Sequence, residues 1–292
     1  MVTSAIVIVL LAWFGWRLRY WYGEGRKLAQ SGYMPPPSTK FARLFLKGFC
    51  KVFTFLTVGP VKVIDAGNGQ FTGRGLVLPN HQLAPDFAVI GSSLPFSFRQ
   101  IAKYKEIQNP VLSTAAAWIG VVGVQVENGK TQDNAGKANV DAGAKILVSS
   151  KGSRMLLFPQ GKLVWDNVLR TEEYRTGATR IMAQAASLID GQPLYALPIA
   201  IHYLRDPRHK TWLHKLVNAV GIKGFRRYAD YELVTNADGT KTKKPRVFQQ
   251  YGAVVVIGKP ISVYDLPADP RAAIEVVRAA TDELLARAKS YE

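Results

Sequence analysis

The chain has 292 residues, of which 48% are hydrophobic, so it is long enough to bury one large core. Lys and Arg outnumber Asp and Glu by 38 to 21, and the net charge of +17 indicates an anionic partner: nucleic acid, an anionic membrane surface, or an acidic carrier or substrate. The single cysteine, Cys50, cannot form an intramolecular disulfide, which argues against a secreted fold held by disulfides and favours a reducing compartment.

The N-terminus begins with an apolar segment. Residues 4–16 are uncharged and almost wholly apolar, and Arg17, Arg19 and several aromatic residues follow. A helix needs roughly 20 apolar residues to cross a bilayer. With residues 1–3 included, and with the Arg side chains snorkelling past the Trp and Tyr residues, the segment is just long enough to span or enter one. A cleaved signal peptide is disfavoured because no positive stretch precedes the run and no small-residue cleavage site follows it. We predict a membrane anchor, with the rest of the chain on the cytoplasmic side.

A Pro-rich break at residues 34–38 separates this anchor from a second helical pattern. In residues 41–56 the cations Arg43, Lys47 and Lys51 recur every four positions, which puts one basic stripe on an aromatic helix. Such a helix lies either in the membrane interface or on the domain surface with its lysines in water, and the nearby anchor favours the interface. Residues 1–58 are therefore predicted to be a membrane anchor with an interfacial helix.

From about residue 60, short apolar runs alternate with segments of helical length. The predicted strands are residues 61–64, 75–78, 98–102, 121–126, 155–158, 194–201 and 253–257, and the predicted helices are residues 135–150, 176–189 and 270–290. Strands interleaved with helices indicate an α/β domain, here residues 59–292, built on a mixed, mainly parallel sheet flanked by helices.

Residues 205–227 form a basic amphipathic insertion in this domain. They contain seven Lys or Arg and one acidic residue, Asp206, and apolar residues recur within them at helical spacing from Trp212 to Val220. A helix of this kind suits anionic lipid, but a surface helix that packs its apolar stripe on the core would show the same pattern. The sequence leaves both interpretations open.

His81 is the candidate catalytic base. It follows the predicted strand 75–78, a position where α/β sheets present loop residues to a ligand, and Asp86 lies five positions later. A turn between them would let the carboxylate bind one imidazole nitrogen and leave the other free to take a proton from a substrate hydroxyl. In the alternative interpretation His81 is an ordinary loop histidine and Asp86 caps the next helix.

The pair becomes specific in its context. Residues 80–86, Asn-His-Gln-Leu-Ala-Pro-Asp, resemble the Asn-His-x4-Asp hallmark of the glycerolipid acyltransferase superfamily, which includes the bacterial lysophosphatidate acyltransferases. Later segments resemble further blocks of that family in the same order: residues 98–103 followed by Pro110, 120–126, 158–161 and 197–200. The resemblance spans roughly residues 75–203.

The resemblance implies an O-acyltransferase with His81 as general base and Asp86 as its partner. The substrate-binding residues that it implies are Asn80, Lys103, Phe158, Pro159, Gln160, Gly161 and Lys162. The expected donor is acyl-coenzyme A or acyl carrier protein, and the expected acceptor is a lipid hydroxyl, by default that of 1-acylglycerol-3-phosphate. The expected location is the cytoplasmic face of a membrane, with the bacterial inner membrane as first choice. Anionic membrane lipids are the expected partners.

Two departures from the family pattern concern the acceptor. The second block runs on as Val126-Glu127-Asn128-Gly129 without the usual Arg, and the third has Gln160 for Glu and Lys162-Leu163 for a polar-Arg pair. The usual bidentate donors for a phosphate are thus missing. Lys103 and Lys162 remain as point charges, and Arg99, Arg154 or Arg175 are candidate replacements; alternatively, Gln160 binds a hydroxyl of a phosphate-free acceptor.

Other functions fit less well. No cofactor is expected, and no metal site either, because His202, His209 and His214 lack acidic or cysteine neighbours at ligand spacing. Nucleic-acid binding is disfavoured by the predicted anchor and by the lack of a recognisable motif. A non-catalytic lipid carrier with the same fold is a further alternative.

Gly161 is expected to allow a tight turn, and backbone amides there or near His81 are candidate oxyanion donors.

Overall fold

The computed structural model describes residues 2–30, 32–71, 73–124, 133–164, 166–206, 209–213, 215–216, 231–235, 241–245 and 250–291. Its α-helices are α1 (Val2–Lys27), α2 (Lys40–Thr57), α3 (Asp86–Ser93), α4 (Tyr104–Ile107), α5 (Pro110–Ile119), α6 (Asp133–Val148), α7 (Gly177–Ser187) and α8 (Pro270–Lys289). Its strands are β1 (Val61–Ile64), β2 (Arg74–Pro79), β3 (Arg99–Lys103), β4 (Val122–Val124), β5 (Arg154–Leu156), β6 (Leu194–Arg205), β7 (Tyr231–Thr235), β8 (Lys241–Pro245), β9 (Gln250–Ile257) and β10 (Ile261–Ser262).

The main sheet has the strand order β1-β9-β6-β2-β5-β3-β4, and β10 pairs with β6. Strand β2 runs parallel to both β5 and β6, β3 runs parallel to β4 and β5, and β1 runs parallel to β9. The antiparallel pairs are β6 with β9 and β6 with β10. The predicted mixed, mainly parallel sheet is therefore confirmed. Strands β7 and β8 form a separate antiparallel pair.

Both faces of the sheet are buried. Leu76 and Leu78 of β2 join the apolar cluster formed with α6, α7 and α8, whereas Val77 joins a second cluster that includes α3. Successive residues of a strand point to opposite faces, so a strand buried on both faces needs apolar residues on both, and Leu76, Val77 and Leu78 supply them. All six residues of β2 are buried, and Arg74 at its start donates to Gln192. This central strand ends directly before Asn80 and His81 and therefore positions both residues at its carboxyl end.

The predicted elements agree with the structure in kind and differ at their ends. Residues 61–64 are β1 as predicted, whereas β6 continues to Arg205 and β5 already ends at Leu156. The pattern did not predict α3, α4 or α5. Residues 125–132, which include the end of the predicted strand 121–126, lie outside the described residues.

The transmembrane helix expected at the N-terminus is not supported. Of the helices in the described part of the chain, none combines the length and apolarity needed to cross a membrane. Helix α1 is 26 residues long, and Arg17, Arg19, Glu24 and later cations follow its uncharged run.

Instead, α1 packs along α5. Gly25 permits this close approach, because a Cβ at this position would lie only 2.7 Å from the backbone carbon of Ser113. Arg99 ties down the Pro-rich break, since its guanidinium donates to the carbonyls of Pro35 and Pro36 and to that of Gly120. The division of the chain at residues 58 and 59 stays a prediction.

Candidate active site

The candidate site lies at the carboxyl edge of the parallel strands. His81 follows β2, the segment Phe158–Gly161 follows β5, and Lys103 ends β3. These three strands are neighbours and run in the same direction, in the order β2-β5-β3. Their carboxyl ends therefore meet at one edge, where open α/β sheets usually bind ligands.

His81 and Asp86 form the predicted pair. Nδ1 of His81 lies 2.8 Å from Oδ2 of Asp86. The same oxygen accepts from the backbone N–H groups of Gln82 at 2.6 Å and Leu83 at 3.0 Å, so Asp86 is the acceptor and Nδ1 carries the hydrogen. Nε2 of a neutral His81 is then a free proton acceptor, and the side chain is 20% exposed.

Asp86 does not act as a helix cap. It is the first residue of α3, its carboxylate accepts from amides that precede the helix, and Pro85 occupies the cap position. Its negative charge lies at the N-terminus of α3, where the helix dipole favours it. The part of the alternative interpretation that makes Asp86 the cap of the next helix is therefore wrong.

A residue that the sequence did not reveal completes the site. The hydroxyl of Tyr203, on β6, donates to Oδ1 of Asp86. Burial raises the pKa of Tyr203 well above its ordinary value, and the charge of Asp86 raises it further, so the hydroxyl keeps its proton. Both oxygens of the fully buried carboxylate are thus held in place. Spacing gives no signal for Tyr203, which lies 117 residues from Asp86.

Arg205 lies two residues after Tyr203 on β6, and the charge of the Asp86 carboxylate acts on it. Its guanidinium donates to Oε1 of Gln82 at 3.4 Å. Burial lowers the pKa of Arg205, and the negative charge of Asp86 opposes this shift. The buried side of the His81 loop therefore holds one carboxylate and one guanidinium.

The segment Phe158–Gly161 supports His81 from the neighbouring strand. The ring of Phe158 stacks on the imidazole with 3.9 Å between centroids and 16° between planes. Oε1 of Gln160 accepts from the backbone N–H of His81 at 2.6 Å. Gly161 has a φ of +62°, and its N–H donates to the carbonyl of Phe158 at 3.0 Å, which closes the expected tight turn.

Asn80 lies behind the site. It is fully buried, its Oδ1 accepts from Ile201 N–H at 2.7 Å, and its Nδ2 donates to the carbonyl of Ile201 and to Oδ1 of Asn167. These bonds anchor the His81 loop to β6. Its predicted contact with substrate stays a prediction, and the contacts present are structural ones.

The remaining predicted residues differ in their surroundings. The carbonyl of Pro159 accepts a hydrogen bond from the N–H of Arg175 at 2.8 Å. Lys162 forms an ion pair with Glu173 at 2.9 Å. Lys103 is half-buried at the end of β3. Among the described side chains, no three His, Cys, Asp or Glu lie close enough to hold a metal ion. His214 and residues 126–129 lie outside the described residues.

The backbone amides proposed as oxyanion donors already have acceptors. Those of Gln82 and Leu83 donate to Asp86, that of His81 donates to Gln160, and that of Gly161 donates to Phe158. Each amide would have to leave its partner to bind an oxyanion. These bonds instead make the loop around His81 rigid.

Comparison with known proteins identifies the domain. Residues 60–202 match the model of the family described as Acyltransferase. No curated protein matches the sequence significantly. The fold is similar to the crystal structure of the 1-acyl-sn-glycerophosphate (LPA) acyltransferase PlsC from Thermotoga maritima, with a TM-score of 0.50 and 15% identity over 86% of this chain and 80% of that chain. Residues 60–202 therefore match the acyltransferase family, and the fold of the chain is similar to that of PlsC.

Proposed function

We propose that this protein transfers a fatty acyl group from an acyl thioester to the hydroxyl of a lipid acceptor, by default 1-acylglycerol-3-phosphate, with His81 as general base. The observation that carries the proposal is the bond from His81 Nδ1 to Asp86, which leaves Nε2 free at a partly exposed position. A base that carries no nucleophile of its own suits the direct attack of a substrate hydroxyl on an activated acyl group.

The proposed reaction balances with His81 alone. Nε2 takes the proton of the acceptor hydroxyl as its oxygen bonds to the thioester carbonyl carbon. Collapse of the tetrahedral intermediate breaks the carbon–sulfur bond, and the departing thiolate takes the proton from the imidazolium. Asp86 stabilises the imidazolium between these steps, because it remains a carboxylate that accepts from Nδ1. Acyl-coenzyme A and acyl carrier protein are the proposed donors, and the positive net charge favours either acidic molecule.

The acceptor is tested directly with purified protein and labelled acyl-coenzyme A or acyl carrier protein. The panel contains 1-acylglycerol-3-phosphate, its phosphate-free counterpart monoacylglycerol, a lysophospholipid, an amino-acid lipid and a glycosylated terpenoid. We expect 1-acylglycerol-3-phosphate to be acylated fastest. Acylation of a phosphate-free alcohol alone would replace the default acceptor, and no acylation at all would favour a non-catalytic lipid carrier.

A phosphate acceptor needs a cation near His81, and Lys103 at the end of β3 and Arg175 are the candidates, since the other cations named from the sequence are engaged elsewhere. Arg99 binds backbone carbonyls of the Pro-rich break, and Arg154 donates to the carbonyl of Phe71 and lies over its ring. Lys162 is paired with Glu173. Arg175 is exposed, and its guanidinium has no ion-pair partner within the described chain. Its backbone N–H donates to the carbonyl of Pro159, next to the Phe158 ring that stacks on His81, and we propose that its guanidinium binds the phosphate of the acceptor.

Replacement of Arg175 by Gln is expected to separate the two acceptor classes. Loss of a charge-assisted bond should lower kcat/KM for 1-acylglycerol-3-phosphate by about tenfold to a hundredfold and change that for monoacylglycerol less than about twofold. Arg180→Gln, also exposed and one turn into α7, is the matched control. Equal losses with both acceptors would rule out a phosphate contact, and a phosphate-free acceptor bound by Gln160 would then be favoured.

Tyr203 is proposed to position Asp86. Tyr203→Phe removes one hydrogen bond to the carboxylate and keeps the ring, so we expect kcat to fall about tenfold with little change in KM. The matched control is Tyr195→Phe at the other end of the same strand. If Tyr203→Phe lowered only the thermal stability and left kcat per folded molecule unchanged, Tyr203 would have a structural role alone.

Attachment to a membrane surface is the remaining part of the proposal. Along α2 the large apolar side chains are exposed: Phe41, Leu44, Phe45, Phe49, Val52 and Phe55. Arg43, Lys47 and Lys51 lie on the same helix, so the exposed apolar row is accompanied by cations. This combination suits the boundary between lipid headgroups and acyl chains, and α2 is proposed to lie in that boundary.

A further inference from the structure

A second exposed apolar surface follows β6. Trp212 is 59% exposed and Leu216 is 54% exposed, four residues apart in a helical segment, so both lie on one face. Thr211 anchors the start of the segment because it is buried. Its carbonyl accepts from the N–H of Lys215 at 3.1 Å. The two large side chains therefore project from an anchored turn.

Cations flank these two side chains. Lys210 and Lys215 are both exposed, and the Lys215 ammonium lies 5.3 Å from the ring centroid of Trp212. An indole and a leucine beside lysines match the boundary of an anionic bilayer, where apolar groups enter the acyl region and ammonium groups stay among the phosphates. The acidic residue nearest in sequence, Asp206, lies before the turn.

This surface lies at the edge of the sheet that bears His81. Strands β2 and β6 run parallel, and β6 continues beyond the level of Pro79 to Arg205 before the segment begins. The ring of His209 lies 6.1 Å from that of Tyr251, close to the point where Gln250 of β9 pairs with Arg205. The segment and His81 therefore share the carboxyl edge of these strands.

The chain that follows α2 reaches the same edge of the sheet. A Cβ on Gly59, just past α2, would lie 3.0 Å from the carbonyl oxygen of Tyr251, so the chain after α2 touches the strand that contacts His209. Tyr251 is 43% exposed, and Phe55 near the end of α2 is 55% exposed. Exposed apolar side chains therefore occur near the end of α2, at Tyr251 and at Trp212.

We propose that Trp212 and Leu216, with Lys210 and Lys215, form a second lipid-binding surface that docks on an anionic bilayer and turns the edge bearing His81 toward the lipid. The proposal rests on the proposed function for the lipid nature of the acceptor. Its consequence is that a lipid acceptor reaches His81 from the bilayer surface instead of from water.

Vesicle binding tests this without any turnover. The full chain and its variants are sedimented with vesicles of phosphatidylcholine alone or mixed with phosphatidylglycerol. For Lys210→Glu/Lys215→Glu we expect binding to the anionic vesicles to weaken by roughly 25-fold or more, at about fivefold per lysine, with little change on neutral vesicles. For Trp212→Ser/Leu216→Ser we expect weaker binding to both. The matched control is Lys259→Glu, an exposed lysine beyond the opposite end of β9.

Binding of both double variants to anionic vesicles as tight as that of the wild type overturns the proposal. If those variants also lose binding of acyl carrier protein, this surface is instead a docking site for an acidic protein. Failure of the proposed function would show separately, as absence of acyl transfer by the wild type in detergent micelles. With activity present, the ratio of turnover in anionic vesicles to turnover in micelles should fall in both double variants.

Discussion

His81→Ala should lower acyl transfer by at least about a thousandfold, close to the limit of detection, while the protein stays folded and bound to vesicles. General-base catalysis contributes roughly 10² to 10⁴ in rate, and no other titratable side chain of the described site has a free proton-accepting atom beside Phe158. Asp86 keeps the N–H donors of Gln82 and Leu83 and the hydroxyl of Tyr203, so removal of the imidazole should cost about 1 to 3 kcal/mol and leave the protein folded. The measurement is turnover with labelled acyl-coenzyme A, together with thermal unfolding.

The same variant decides between an enzyme and a lipid carrier. A carrier would hold lipid equally well with or without the imidazole, whereas an enzyme would lose turnover and keep its membrane binding. His81→Gln is a useful companion, because it keeps a polar side chain of similar size that cannot take a proton. Full activity of either variant would contradict the proposed role of His81.

The sequence predicted the central strands because their apolar runs are unmistakable. Residues 75–78 and 253–257 are buried on both faces and consist almost wholly of apolar residues, so they match β2 and β9 closely. Helices α3 and α5 were not predicted because they are short and apolar, without a polar face. A start signal was present for α5: Asn109 accepts from the amides of Val111 and Leu112, and Pro110 is the first helical residue.

The candidate site was predictable only where it is local in the chain. His81 and Asp86 are five residues apart, so their spacing and the resemblance to a family identify both. Tyr203 reaches Asp86, and Arg205 reaches Gln82, through the pairing of β2 with β6, and neither spacing nor periodicity reveals such contacts. The N-terminal anchor was predicted from an apolar run that ends at Arg17, and no helix in the described part of the chain is long and apolar enough to cross a membrane.

Asp86→Asn should lower kcat by about a hundredfold or more, with a smaller effect on stability. The amide can keep its oxygen toward the three N–H donors of His81, Gln82 and Leu83, and its NH2 group can donate to the hydroxyl of Tyr203 instead of accepting from it. The tautomer of His81 would survive, so we expect a stability loss of only about 1 to 2 kcal/mol. What the variant lacks is the negative charge that stabilises the imidazolium during the reaction.

The comparison with Asp86→Ala makes this argument quantitative. Alanine leaves the buried amides of Gln82 and Leu83 without an acceptor, so it should cost clearly more stability than asparagine, about 3 kcal/mol. The two variants should nevertheless lose turnover to a similar extent, because both remove the charge. Asp282→Asn, at an aspartate that is 57% exposed on α8, is the control. If Asp86→Asn kept wild-type kcat while Asp86→Ala unfolded, Asp86 would serve the loop's structure and the charge would have no part in catalysis.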